Sequence, residues 1–275
     1  MNHLLRSLAP ITDATWSVLD REATDHLVPA LGARRLVDFS GPHGWQHSAT
    51  NLGRTTPLTA DPAVGVTAAQ RKVLPLIELR SAFRVARAEL ADLERGALEV
   101  NLADLDEAAR CIASAENTAI FAGFAPAGIT GIAQASPHAP IPLGGECEHY
   151  PAQVAKAAEV LLRAGIAGPY GIALSPADYT RVVETTEHGG YPIFEHLSRI
   201  LGGPIVRVPG LGGAVVLSLR GGDFLFESGQ DLSVGFERSG DTHVHFYLEE
   251  SFSFRVTTPE AALVLPAPHT LRVGG

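Results

Sequence analysis

The chain has 275 residues, 45% hydrophobic and 19% charged, enough to bury a substantial core in one large or two modest domains. A formal net charge of −9 argues against broad nucleic-acid binding through phosphate neutralisation, and no apolar run approaches the ~20 residues that span a bilayer. Cys111 and Cys147 stand alone without CxxC spacing, which excludes a disulfide framework or zinc finger; with no signal-peptide pattern at the N-terminus, a cytoplasmic protein is expected.

Residues 2–8 form a short amphipathic piece that stops at Pro10. Thr12 can cap a helix in which Trp16, Leu19, Ala23, Leu27 and Leu31 recur at helical spacing, with Pro29 and Gly32 marking its end. Trp16 is expected in the core, and residues 34–39 as a short extended piece. Two extended runs follow, over 48–56 and 70–83, flanking a tip rich in Pro and Gly. This hairpin-like arm has little apolar surface on its first limb. A lone two-stranded ribbon is marginal in water, so the arm is expected to lie against a neighbouring subunit.

A short helix over 86–95 is closed by Gly96, and Asn101 can cap a second that runs to about residue 124. That helix is the longest expected, with Cys111 read as one of its small buried residues. The loop over 136–149 is rich in Pro and Gly and marks a boundary. Beyond it come a helix from Pro151 to Gly165, a strand over 170–174, a helix capped by Ser175 and a break at Glu187-His188-Gly189-Gly190. A helix over 192–201 and strands over 205–208 and 214–219 complete a compact α/β unit. From Arg220 the pattern is a meander of strands with a tight turn at Gly221-Gly222. Its last member alternates without interruption from His243 to Val256, some 46 Å of ribbon at ~3.3 Å per residue. The alternation predicts one buried face (Val244, Phe246, Leu248, Phe252, Phe254, Val256) and one polar face.

The residues offer little chemistry. P-loop, HExxH and GxSxG patterns are absent, and Gly210-Leu211-Gly212-Gly213 lies between strands, where it reads as a turn. His243 and His245 share a strand face but lack a third ligand nearby in sequence; His43 and His47 bracket Trp45 in what reads as loop packing. Glu249 and Glu250 are adjacent on a strand and so face opposite ways, which weighs against paired acid–base catalysis. Spacing alone yields an α/β protein, oligomeric through its arm, with no recognisable active site.

A resemblance goes further. Arg34-Arg35-Leu36-Val37-Asp38, Gly41-Pro42-His43-Gly44-Trp45, Leu74-Pro75-Leu76-Ile77-Glu78-Leu79-Arg80 and Asp92-Leu93-Glu94-Arg95-Gly96 are similar to segments of family 1 encapsulins. So are Gly190-Tyr191-Pro192, Arg220-Gly221-Gly222-Asp223-Phe224, Gly229-Gln230-Asp231-Leu232-Ser233-Val234-Gly235 and Glu250-Ser251-Phe252-Ser253-Phe254, all in the family's order. The resemblance implies an α+β, HK97-type major capsid fold. Its parts would be an N-terminal helical arm (1–44), an extended loop (45–84), a peripheral domain (85–140 and 220–275) and an axial domain (141–219). It implies a structural shell protein, not an enzyme, that self-assembles into a closed icosahedral nanocompartment.

Cargo enzymes, of the ferritin-like or dye-decolorising peroxidase type, would be captured by their C-terminal peptides. By position, Leu31, Arg34, Asp38, Gln230, Asp231 and Leu232 would form the docking groove, and Glu187, His188, Gly189 and Gly190 would line a five-fold pore, in a loop one residue longer than in many relatives. The shell itself would hold no metal or cofactor, any iron or haem belonging to the cargo. Flavin is not expected, because Ala88 fills the position where some members carry an aromatic residue. The tail past Leu265 would lie outside the shell. A phage major capsid protein or a bacteriocin- or protease-type enzyme are the alternative readings.

Overall fold

The structure, a computed structural model, describes residues 3–187 and 189–267. In chain order the elements are α1 (Asp13–Ala30), β1 (Asp38–Ser40), β2 (Ala49–Pro57), β3 (Ala69–Pro75), β4 (Ile77–Ala86), α2 (Arg87–Glu94), α3 (Ala103–Phe121) and α4 (Ile132–Ala135). Then come α5 (Tyr150–Arg163), β5 (Tyr170–Leu174), α6 (Pro176–Glu184), α7 (Ile193–Leu201), β6 (Gly202–Arg207), β7 (Ala214–Ser218), β8 (Phe224–Ser228), β9 (Ser233–Ser239), β10 (His243–Val256) and β11 (Ala262–Leu265).

Local chemistry explains most boundaries. The Thr12 hydroxyl accepts from the Thr15 N–H and starts α1; Ser175 does the same for α6 through the Asp178 N–H. The Asn101 carboxamide accepts from the Ala103 N–H at the start of α3. Past α2, Gly96 takes φ +95°, and the Ala97 N–H returns to the Asp92 carbonyl, closing the helix.

The 14-residue β10 is the axis of a five-stranded sheet. Along one edge it pairs antiparallel with β4, His243 opposite Ala86 through Phe252 opposite Ile77. Its other edge is shared by β9 over the first half and β8 over the second. Val244, Phe246 and Leu248 pack with Trp16, Leu19, Leu27, Phe83, Leu105 and Ile112, so α1 and α3 cover this end of the sheet. Trp16 sits in the core as expected, edge-on to Phe246 at 5.5 Å. Phe252 and Phe254 enter a second core, which continues into a four-stranded sheet of order β11-β7-β5-β6 flanked by α5, α6 and α7.

Several expectations change. The polar face of β10 is not open to water: Glu249, Ser251 and Ser253 are buried. The Ser251 hydroxyl and N–H bond to the backbone of Gln230, Ser253 meets Thr50 at 2.5 Å, and the Tyr247 hydroxyl donates to the His3 carbonyl. A strand flanked on both edges and covered on both faces keeps its alternation but loses its solvent side. Residues 33–35 form a 3₁₀ turn, leaving only Asp38–Ser40 as strand, parallel to β8. The limb expected over 70–83 divides at Leu76: β3 pairs with β2, whereas β4 joins the large sheet. Cys111 is exposed on α3, its thiol donating to Glu107 at 3.4 Å; that bond raises its pKa. Finally, β11 pairs with β7, so the C-terminal segment completes the sheet of the α/β unit instead of staying with the meander.

Candidate functional site

Three features stand out: an unsupported arm, a buried charge cluster at the end of α1, and a turn between α6 and α7. The arm is the β2–β3 ribbon and its tip. None of residues 51–75 is buried, and Leu58, Val64, Val66 and Val73 are exposed apolar side chains along it. The ribbon pairs antiparallel, with a register shift between Asn51 and Arg54, and has no core of its own; its base meets the body through Thr50 and Ser253.

The charge cluster is organised by Asn117, fully buried on α3. Its carboxamide donates to the carbonyls of Ala30 and Pro209 and accepts from the Ala33 N–H, fixing the end of α1 to α3 and to the β6–β7 turn. Gly210 in that turn passes so close to α3 that a Cβ there would lie 2.6 Å from the Thr118 hydroxyl. The 3₁₀ turn thus positioned sends Arg34 into the gap between the two cores. Its guanidinium reaches Glu116 at 2.6 Å, Asp231 at 2.7 Å and Glu250 at 2.9 Å, and lies 5.2 Å from the ring centroids of both Phe39 and Phe226. Burial opposes its charge, but Glu116, Glu250 and Asp231 together outweigh that cost and raise its pKa. Glu250 is the one acid on the apolar face of β10. Burial first, then the charge of Glu116, pushes its carboxyl well above the ordinary range, with Arg34 opposing. Arg34 therefore faces two buried acids, Glu116 and Glu250, and a half-exposed Asp231.

Of the six expected docking residues, five converge here. Leu31 is buried at the C-terminus of α1, in the cluster against which Leu232 packs. Asp231 accepts from Arg34 and from the Leu232 N–H, and the Gln230 carboxamide donates to Ser233 and to the Asp231 carbonyl. Asp38 stands apart: its carboxylate accepts from the Gly222 N–H at 2.7 Å and lines a separate depression with Arg35 and the 218–224 turn. Arg34 is committed to internal partners, and of these five residues those of the 230–232 segment are partly exposed. The Arg34 partners Glu116 and Glu250 were missed in the sequence. Each is a lone acid on an otherwise apolar stripe, and that break in pattern is the signal that could have found them.

At the expected pore segment, His188 lies outside the described residues. Glu187 and Gly190 close a tight turn, the Gly190 N–H donating to the Glu187 carbonyl at 2.7 Å with Gly190 at φ +77°. The Glu187 carboxylate is held by His196 of α7 at 2.6 Å. The Nδ1 of His243 lies 2.9 Å from the Thr242 hydroxyl, and the Nδ1 of His245 lies 3.4 Å from the Arg238 guanidinium. His43 and His47 bond to Ser40 and Glu227, and Trp45 stacks on His3 at 4.2 Å, as loop packing requires. Glu249 and Glu250 do diverge, Glu249 pairing with Arg80 and Glu250 with Arg34.

A long helix against a long-stranded sheet, a projecting ribbon and an appended α/β unit make up an HK97-type capsid fold. The fold matches the virus-like particle of Pyrococcus furiosus with a TM-score of 0.65 at 18% identity, covering 91% of this chain and 98% of that one. It matches the Mycobacterium phage Adephagia structure at 0.55 and 14%, covering 88% and 91%. In sequence, residues 1–253 match the family model described as encapsulating protein for peroxidase. The type 1 encapsulin shell protein of Rhodospirillum rubrum is 43% identical over 96% of both chains. That of Mycolicibacterium paratuberculosis is 41% identical over 96% of this chain and 99% of its own. The chain belongs to the type 1 encapsulin shell protein family.

Proposed function

We propose that copies of this chain tile into a closed icosahedral shell and that the shell encloses a cargo enzyme. The observation that carries the proposal is the arm: a stretch of 25 residues, 51–75, with strand pairing and not one buried side chain. Such a ribbon is marginal in water unless another surface covers it, and a neighbouring copy supplies that surface at every position of a closed lattice. Catalysis and its cofactors then belong to the cargo, an iron-oxidising or peroxidase-type enzyme, and not to the shell. Ala88 is exposed on α2 and offers no aromatic platform for flavin. Among the described residues no helix is long and apolar enough to cross a membrane, and the shell is read as a cytoplasmic compartment.

Cargo would dock by a C-terminal peptide along Leu232, Asp231 and Gln230 beside the end of α1. A shallow apolar contact with a few polar hooks is weak for one peptide. Oligomeric cargo engaging several copies gains avidity, about 10²–10⁴-fold. The 187–190 turns would meet around a five-fold axis and frame a pore. Electron microscopy and sedimentation of the purified protein test the assembly: closed particles are expected, and a lone 29 kDa species in all mild buffers would overturn it.

A further inference from the structure

We propose that Glu22, His26 and Asp106 bind a divalent first-row transition-metal ion of the Zn²⁺ or Fe²⁺ class, tying α1 to α3. Glu22 and His26 are one turn apart on α1, and Asp106 lies in the first turn of α3, about 80 residues further along the chain. His26 Nε2 is 3.3 Å from Glu22 Oε1 and 3.3 Å from Asp106 Oδ1, and the three donor atoms all lie within 4.8 Å of one another.

These separations fit ligands of a common ion better than partners in a hydrogen bond. Charge-assisted N–H···O bonds close to about 2.7–2.9 Å. Two other histidine–carboxylate pairs do close, His47 with Glu227 and His196 with Glu187, both at 2.6 Å, while His3 with Glu249 and His149 with Glu146 stay apart at 3.9 and 3.8 Å. The Arg6–Asp20 pair, whose aspartate is on α1, is bidentate at 2.6 and 2.8 Å. His26 instead stands at the same longer distance from two carboxylates. Asp106 Oδ1 is enclosed by protein yet has no hydrogen-bond donor among the described residues. Ligands about 2.0–2.1 Å from a tetrahedral ion sit about 3.3–3.4 Å from each other, which is the spacing seen at both contacts.

Charge points the same way. Two carboxylates and a neutral imidazole carry −2, which a dication neutralises. An imidazole nitrogen with two carboxylate oxygens is a donor set for Zn²⁺, Fe²⁺ or Mn²⁺, whereas Ca²⁺ prefers oxygen alone. The side chains are partly exposed, 37% for Glu22, 37% for His26 and 26% for Asp106, so water can reach the ion and complete its coordination. With three protein ligands and an open position, the ion's part here is to clamp two helices.

The test uses purified protein in its native oligomer, stripped with a chelator and dialysed. Co²⁺ serves as a visible-absorption probe and Zn²⁺ as the competitor. A saturable Co²⁺ site per subunit with the intense absorption of a low-coordinate ion is expected, together with a melting temperature that rises on adding Zn²⁺. His26→Ala and Asp106→Asn should each weaken that site at least about tenfold and remove the Zn²⁺-dependent rise. Glu22→Gln, nearly isosteric and on the surface, keeps the fold and should weaken binding by a similar factor. Absence of a saturable site in the wild-type protein would overturn the proposal. So would unchanged affinity in both Glu22→Gln and His26→Ala.

Discussion

Arg34→Ala is the sharpest perturbation of this fold. The substitution leaves Glu116, 0% exposed, and Glu250, 1% exposed, facing each other with no cation between them. Removing one member of a buried ionic cluster costs about 3–5 kcal/mol, because the remaining charge stays buried without compensation. The rings of Phe39 and Phe226 also lose the cation lying between them. At about 2 °C per kcal/mol for a chain of this size, the unfolding temperature should fall by roughly 8 °C. The loss should depend on pH. Glu250 already has a raised folded pKa, so its contribution to stability is present below the ordinary value of about 4.5 and is lost as pH rises through the folded value. Arg34 is the group that opposes this rise, so without it Glu250 is pushed further in that direction, and the deficit should be smallest near pH 4.5 and widen towards neutrality. Arg34→Lys should recover only part, since an ammonium lacks the planar fork that reaches three acidic side chains at once. Thermal unfolding of the protein at one concentration and several pH values reads all of this. A fall of under about 2 °C with no pH trend would mean that Arg34 is no more than a surface ion pair.

Four further outcomes follow from the same geometry. Glu250→Gln mimics the protonated acid, so it should change stability by no more than about 1 kcal/mol and flatten the stability–pH slope above pH 4.5, measured as melting temperature against pH. Deleting residues 58–68 removes no buried side chain, so the subunit should retain its circular dichroism while sedimentation shows that closed particles no longer form. Gly210→Ala should destabilise by about 2–4 kcal/mol in thermal unfolding, because φ is +87° and the new Cβ would lie 2.6–2.8 Å from Ser114 and Thr118 of α3. On the proposed docking site, Leu232→Asp should leave the shell intact yet lower the cargo-to-shell ratio of purified particles, since each such contact would lose about 1.5–3 kcal/mol of apolar burial.

The amino-acid sequence by itself determined what depends on neighbours along the chain. The alternation from His243 to Val256 specified a 14-residue strand, and the hydroxyls of Thr12 and Ser175 together with Gly96 placed helix ends, because caps and strand periods are set within a few residues. The arm too was legible, since a ribbon poor in apolar residues cannot hide in its own core. Tertiary structure alone decided which polar groups would be buried. Ser251, Ser253 and Glu249 looked like a solvated face until the N-terminal segment, the base of the arm and the 230–232 segment closed over them. Arg34, Glu116 and Glu250 come from a turn, a helix and a strand scattered over more than 200 residues, and no local pattern records that they share one gap. The same holds for Glu22, His26 and Asp106, and for β11, whose place beside β7 is a choice of partner made by long-range pairing. Local chemistry fixes the conformation of each piece, but burial and charge pairing are properties of the space between pieces, and that space exists only once the chain has folded.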